Sequence, residues 1–82
     1  MEYEIAFSDK FSEAIEKLDK AARKMVKKRL IKIISEPLLG KPLHGEANLF
    51  SERLENLRII YRIDGKRILF LRIGKRDEVY RQ

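Results

Sequence analysis

The sequence predicts an α+β domain: a short N-terminal strand and two antiparallel helices packed on one face of a small, mainly antiparallel sheet. Three observations point there. Apolar residues recur at helical spacing from Phe11 to Ile34, then give way to strand-like runs after Leu38. Asp64-Gly65 is a strong hairpin turn signal between two of those runs. The helices come together and the main strands follow together, which suits helices segregated to one face of a meander rather than an alternating α/β arrangement.

Taken in order, Tyr3 to Phe7 alternates as a strand with Tyr3, Ile5 and Phe7 on one face. Ser8 or Asp9 caps the first helix, whose Phe11, Ala14, Ile15 and Leu18 follow the i, i+3, i+4, i+7 pattern. Asp19 caps a longer helix with an apolar stripe of Ala22, Met25, Val26, Leu30, Ile33 and Ile34. Pro37 ends it, because the residue before a proline is pushed out of the helical region. Leu38 to Gly45 reads as a glycine- and proline-punctuated loop. Strands are expected over Leu49–Leu54, Leu57–Ile63 and Arg67–Ile73, with Glu55-Asn56 as a weaker turn signal between the first two.

Register decides which side chains share a face. A two-residue Glu55-Asn56 loop sets Leu54 opposite Leu57 and Arg53 opposite Arg58, leucines toward the helices and arginines on the other side. Like charges directly across a strand pair are destabilising, so a chain that accepts them offers the place to an anion. For the second hairpin, a two-residue Asp64-Gly65 loop would set Tyr61 against Ile68, whereas a three-residue loop with a glycine bulge separates the faces more cleanly. On that choice Leu57, Ile59, Tyr61, Leu69, Leu71 and Ile73 face the core. Arg58, Ile60, Arg62, Ile68, Phe70 and Arg72 form a mixed outer face suited to a partner. Glu52 falls on the core parity beside Phe50 and Leu54, which a frayed strand would relieve.

With 82 residues the chain makes one domain, 1–82, and its core must use most of its apolar residues. A 44% hydrophobic fraction beside 39% charge fits a globular domain. No cysteine is present, so there is no disulfide and no thiolate chemistry, as befits a reducing cytoplasm. No apolar run approaches a membrane span, and Met-Glu-Tyr-Glu-Ile does not begin a signal peptide. The net charge of +6 favours a polyanionic partner, against the alternative of a merely basic solvated surface.

The second helix carries Lys20, Arg23, Lys24, Lys27, Lys28, Arg29 and Lys32 with no acid among them. This is either the solvated side of an amphipathic helix or a set of phosphate contacts, with Lys24 and Lys28 as candidates beside Lys41 and Lys75. His44, the only histidine, sits at a Pro-Leu-His-Gly turn and makes neither a metal site nor a Ser-His-Asp set. The acids are scattered, and no phosphate-cradling glycine loop exists. What remains is Arg53, Arg58, Lys75, Arg76 and Tyr80. Arginine clamps phosphate bidentately but is a poor base; tyrosine stacks on a base or handles a proton. Gly74 is expected to release the chain from the last strand, freeing Lys75 and Arg76, with Val79 returning to the core to fix Tyr80.

The Ser8-Asp9-Lys10-Phe11 helix opening, G-K-P-L-H-G at Gly40–Gly45, R-L-E-N-L-R-I-I-Y-R-I at Arg53–Ile63 and I-G-K-R-D-E-V-Y at Ile73–Tyr80 resemble, in this order and spacing, the RelE/ParE superfamily of toxins from toxin–antitoxin pairs. The resemblance covers nearly the whole chain and leans to the RelE branch. It implies the RelE-like microbial RNase fold and a ribosome-dependent mRNA endoribonuclease, an mRNA interferase that needs no metal or other cofactor. It further implies catalytic roles for four residues: Arg58 stabilises the phosphate, Arg76 helps protonate the leaving group, Tyr80 stacks on or orients the base, and Arg53 stands where a catalytic lysine is frequent. Ser51 departs from the pattern, standing where RelE has a lysine implicated as base, and leaves the proton acceptor to Tyr80, Lys41 or Lys75. The implied partners are the ribosome with mRNA in its decoding site and a RelB-like antitoxin. Ile60, Arg62, Ile68, Phe70 and Arg72 are the candidate antitoxin contacts. The toxin–antitoxin complex is expected to oligomerise and bind operator DNA through the antitoxin. The alternatives are a ParE-like gyrase inhibitor with no nuclease activity, or a catalytically inactive relative.

Overall fold

Ser8 caps the first helix: its extended backbone lets the hydroxyl accept from the Phe11 N–H at 3.0 Å, while the same hydroxyl donates to the Leu71 carbonyl at 2.7 Å. One side chain therefore starts a helix and ties it to the last strand. The computed structural model describes residues 2–43, 45 and 47–75. Within them the order is β1 (Glu4–Phe7), α1 (Asp9–Glu16), α2 (Lys20–Ser35), a 3-10 turn (Pro37–Leu39), β2 (Lys41–Pro42), β3 (Leu49–Leu54), β4 (Leu57–Asp64) and β5 (Arg67–Lys75). Asp19 caps α2 by accepting from the Ala22 N–H at 2.8 Å, and α2 stops before Pro37 as the sequence requires.

The sheet runs β1-β5-β4-β3-β2, with β1 parallel to β5 and the other pairs antiparallel. Both helices cover one face, giving the expected α+β layers. Phe11, Val26 and Ile33 of the helices pack with Phe50, Leu54, Ile59, Tyr61, Ile68, Phe70 and Ile73 of the sheet. A run of rings links the layers: Phe11 to Phe70 at 5.6 Å, Phe70 to Tyr61 at 5.8 Å and Tyr61 to Phe50 at 5.5 Å between centroids.

Several expectations are corrected. The segment read wholly as loop contains the 3-10 turn and β2, which adds to the β3 edge through Lys41 opposite Ser51. In the second hairpin the turn is Gly65-Lys66, with Asp64 opposite Arg67 and Ile63 opposite Ile68. Gly65 takes the positive φ of 57° that the first loop position needs, so glycine chemistry, not the Asp-Gly pair, places the turn. The register shift lies inside the sheet, between Ile60 and Tyr61: Tyr61 faces Phe70 but Ile60 faces Arg72, leaving Leu71 as the extra residue. Ile68 and Phe70 consequently turn into the core, each 0% exposed, and Leu69 joins Arg62 on the outer face. Those two candidate antitoxin contacts are therefore buried packing residues. Ile60, Arg62 and Arg72 keep the outer face assigned to them because the bulge restores the odd-with-odd match beyond it, but Ile60 is itself buried at 6% exposed, so of the candidate antitoxin contacts only Arg62 and Arg72 reach solvent.

Glu52 does lie on the helix side, and the strand does not fray. Arg29 of α2 reaches it at 2.9 Å. Nor does Gly74 release the chain: it pairs with Arg58, and Lys75 with Leu57, so β5 continues through both.

Candidate anion-binding face

The outer face of the sheet is assembled by register. Arg53 pairs with Arg58, and Arg58 with Gly74; one step along, Lys41 pairs with Ser51, Ser51 with Ile60, and Ile60 with Arg72. A third row sets Leu49 against Arg62 and Arg62 against Leu69. Paired side chains stand about 5 Å apart at Cβ, and residues two apart on a strand about 7 Å. Lys41, Arg53, Arg58, Arg62 and Arg72 thus project from one surface. Among the described residues the only ion pair is Arg29 with Glu52, on the opposite side of the sheet.

The arginine pair sits at the β3–β4 turn, beside a depression of ≈ 220 Å³ lined by Arg53, Glu55, Asn56, Leu57 and Arg58. Glu55 holds a φ of 57°, a left-handed conformation that disfavours non-glycine residues, and this closes the two-residue loop. The Arg53 Nε donates to the Glu55 carbonyl at 3.3 Å, which leans the guanidinium toward the hairpin tip. Arg29 supports the same tip from behind, its Nη1 donating to Glu52 Oε1 at 2.9 Å and to the Arg53 carbonyl at 3.0 Å. Sequence reasoning placed Arg29 in the solvated stripe; its partner signal was Glu52 on the wrong parity for water.

Tyr61 positions the other end. Its buried hydroxyl donates to the Pro37 carbonyl at 2.7 Å, and Gly40 packs against the ring edge, so the segment leading into β2 is held on the core. Burial, reinforced by the Glu52 charge, pushes the Tyr61 phenol up to about 12. Lys41 follows directly from that anchor. Ser51, opposite it, is 2% exposed, and its Oγ has no hydrogen-bond partner among the described residues.

Other candidates fall elsewhere. Lys24 and Lys28 are exposed on α2, across the sheet from Arg53 and Arg58. Lys75, paired with Leu57, takes the parity of the helix face and lines a cleft with Lys10 and Lys17 of the α1 side. Arg76, Tyr80, Val79 and His44 lie outside the described residues. Among the described residues no group of three or more His, Cys, Asp or Glu could hold a metal ion, and no helix is long and apolar enough to cross a membrane. This face can bind, orient and stabilise extra negative charge on a phosphate; the arginines cannot take a proton from it.

A family model described as the ParE toxin of the type II toxin–antitoxin system, parDE, matches residues 5–80. Among solved structures, a chain of the toxin–antitoxin complex RelBE2 from Mycobacterium tuberculosis is 31% identical, with a TM-score of 0.81 over 93% of this chain and 100% of that one. The isolated E. coli RelE toxin is 28% identical, with a TM-score of 0.78 over 95% and 90%. A chain of the E. coli DinJ-YafQ toxin-antitoxin complex, 18% identical, shares the fold at a TM-score of 0.80 over 98% and 99%. No curated protein sequence matches the chain.

Proposed function

Because the chain belongs to the ParE toxin family of type II toxin–antitoxin systems, within the RelE/ParE superfamily, we propose that it acts as a RelE-type toxin: a ribosome-dependent endoribonuclease that cuts mRNA in the decoding site and is neutralised by a cognate RelB-like antitoxin. The observation that carries this reading is the Arg53–Arg58 pair, two like charges placed directly across a turn with neither held in an ion pair among the described residues. The sheet tolerates that repulsion where an anion is the missing partner.

In the proposed reaction the 2′-hydroxyl of a nucleotide attacks the adjacent phosphorus. The O2′–P bond forms as the P–O5′ bond breaks, one proton leaves the 2′-hydroxyl and one reaches O5′, giving a cyclic phosphate and a 5′-hydroxyl. Arg58 and Arg53 donate to the non-bridging oxygens as charge builds on phosphorus. Arg76 serves the leaving oxygen, and Tyr80 orients the base. Lys24 and Lys28 meet RNA backbone on the other side of the molecule, away from the scissile phosphate. The antitoxin lies against the outer face at Arg62 and Arg72, and operator DNA is bound through the antitoxin.

Toeprinting on a programmed ribosome tests the nuclease: new 3′ ends are expected with ribosomes and none on free mRNA. Arg58→Ala should slow cleavage by about 10²–10³, and Arg76→Ala or Tyr80→Phe should abolish it without unfolding the chain. The description of the matching family as a ParE toxin favours one other reading, a gyrase inhibitor with no nuclease activity. Loss of gyrase supercoiling without any RNA cut would reverse the choice.

A further inference from the structure

The Ser51 hydroxyl is the one buried side-chain polar atom among the described residues without a hydrogen-bond partner. Buried polar groups are nearly always paired, and an orphan costs free energy, so each one calls for a physical reason. Its surroundings suggest that reason. Ser51 lies on the cationic face, directly opposite exposed Lys41 and one strand step from the arginine pair. Ile60, 6% exposed, closes its other side with an apolar wall. Arg53 is drawn away from it toward Glu55 by the 3.3 Å hydrogen bond. The ammonium nearest to Ser51 by register is therefore Lys41, held in place by the Tyr61–Pro37 anchor.

We propose that Lys41 and Ser51 form a second phosphate subsite beside that of Arg53 and Arg58, so that this face takes two consecutive phosphates of a single-stranded RNA. The inference rests on the nuclease reading and deepens it. Two residues along a strand is about 7 Å, comparable with one nucleotide step, so the rows present their donors in the rhythm of a backbone. Lys41 supplies charge, and Ser51 supplies a neutral donor whose missing hydrogen bond a phosphate oxygen completes. Because Ser51 is 2% exposed in the free chain, a phosphate oxygen reaches its hydroxyl as the exposed Lys41 side chain beside it swings onto the anion. Long cationic side chains have the freedom to do so.

The test compares two uncleavable probes by NMR titration at low salt: a 2′-O-methyl dinucleotide with one phosphate and a trinucleotide with two. The wild-type chain should bind the trinucleotide more tightly. Lys41→Gln and Ser51→Ala should each cut trinucleotide affinity more than dinucleotide affinity and so remove that advantage, and Lys41→Gln should reduce the salt slope for the trinucleotide by about 0.7. Arg58→Ala should weaken both probes. If both Lys41→Gln and Ser51→Ala keep the full trinucleotide advantage, the second subsite does not exist, even where Arg58→Ala still weakens binding and the nuclease reading stands. If Arg58→Ala changes neither probe, the primary phosphate site fails on its own account. Ser51→Ala fills nearly the same volume, and retained amide spectra exclude unfolding as the cause of any loss.

Discussion

Tyr61 joins the core to the segment that carries Lys41, and two residues expose how tightly. A Cβ added at Gly40 would fall on the Tyr61 hydroxyl and about 3.0 Å from Cζ. Gly40→Ala should therefore cost about 1–3 kcal/mol by overpacking. Gly40→Ala should cost less in a Tyr61→Phe background than in the wild type, because the oxygen that clashes is gone; equal costs in the two backgrounds would dismiss the contact. Tyr61 also sets an alkaline limit. Its phenol rises from 10.0 to about 12 through burial first and the Glu52 charge second, so the folded chain holds the proton more tightly than the unfolded one. The stability it contributes, roughly 2–3 kcal/mol, is whole below pH 10.0 and lost as pH climbs toward about 12. Denaturant melts across that range should show the loss in the wild type and not in Tyr61→Phe. Ser51 works in the opposite sense. Removing its orphan hydroxyl should raise stability by about 1 kcal/mol, while the same Ser51→Ala change removes the second phosphate contact.

At the scale of elements, the β3–β4 hairpin with α2 behind it forms the unit that presents the arginine pair. Arg29 clamps Glu52 and the Arg53 carbonyl from a single Nη1, and the Arg29 and Glu52 side chains are 28% and 21% exposed. A double-mutant cycle on Arg29→Ala and Glu52→Ala should give a coupling of about 0.5–2 kcal/mol, above that of an exposed pair. Additive costs would show that the clamp does not exist. The element boundaries and the first hairpin were legible because caps, Pro37 and a two-residue turn leave recognisable residues at fixed positions. The second hairpin was misread because strand parity cannot see a bulge in mid-sheet. Ile68, Leu69, Phe70 and Leu71 are all apolar, so nothing in their order says which of them turns inward. Glu52 was visible as an anomaly, but its explanation lies in α2, 23 residues away in the chain. The arginine pair could be read from the turn alone; the Lys41 contribution could not, because β2 is only two residues long and carries no strand pattern.

For the whole molecule, an excess of cations on both layers means that the isolated chain repels itself. The net charge is +6, α2 presents Lys20, Arg23, Lys24, Lys27 and Lys28 to solvent, and the opposite sheet face presents Lys41, Arg53, Arg58, Arg62 and Arg72. With one ion pair among the described residues, few attractive contacts offset this. Salt screens like-charge repulsion over a Debye length of about 10 Å at 0.1 M, so the melting temperature should rise between low and moderate sodium chloride. A polyanion that binds the folded chain should raise it further at the same ionic strength, by linkage. An increment of about 1 kcal/mol would shift the melting point by roughly 4–8 °C in a domain of this size. The two faces separate in the same measurement. Neutralising Lys24 and Lys28 should raise the low-salt melting point and weaken RNA binding without changing the cleavage rate of bound mRNA, whereas Arg58→Ala should raise it and slow cleavage itself by about 10²–10³. A melting temperature that falls with added salt would mean attraction, not repulsion, dominates the surface, and the cationic faces would then lose their claim to be waiting for an anion.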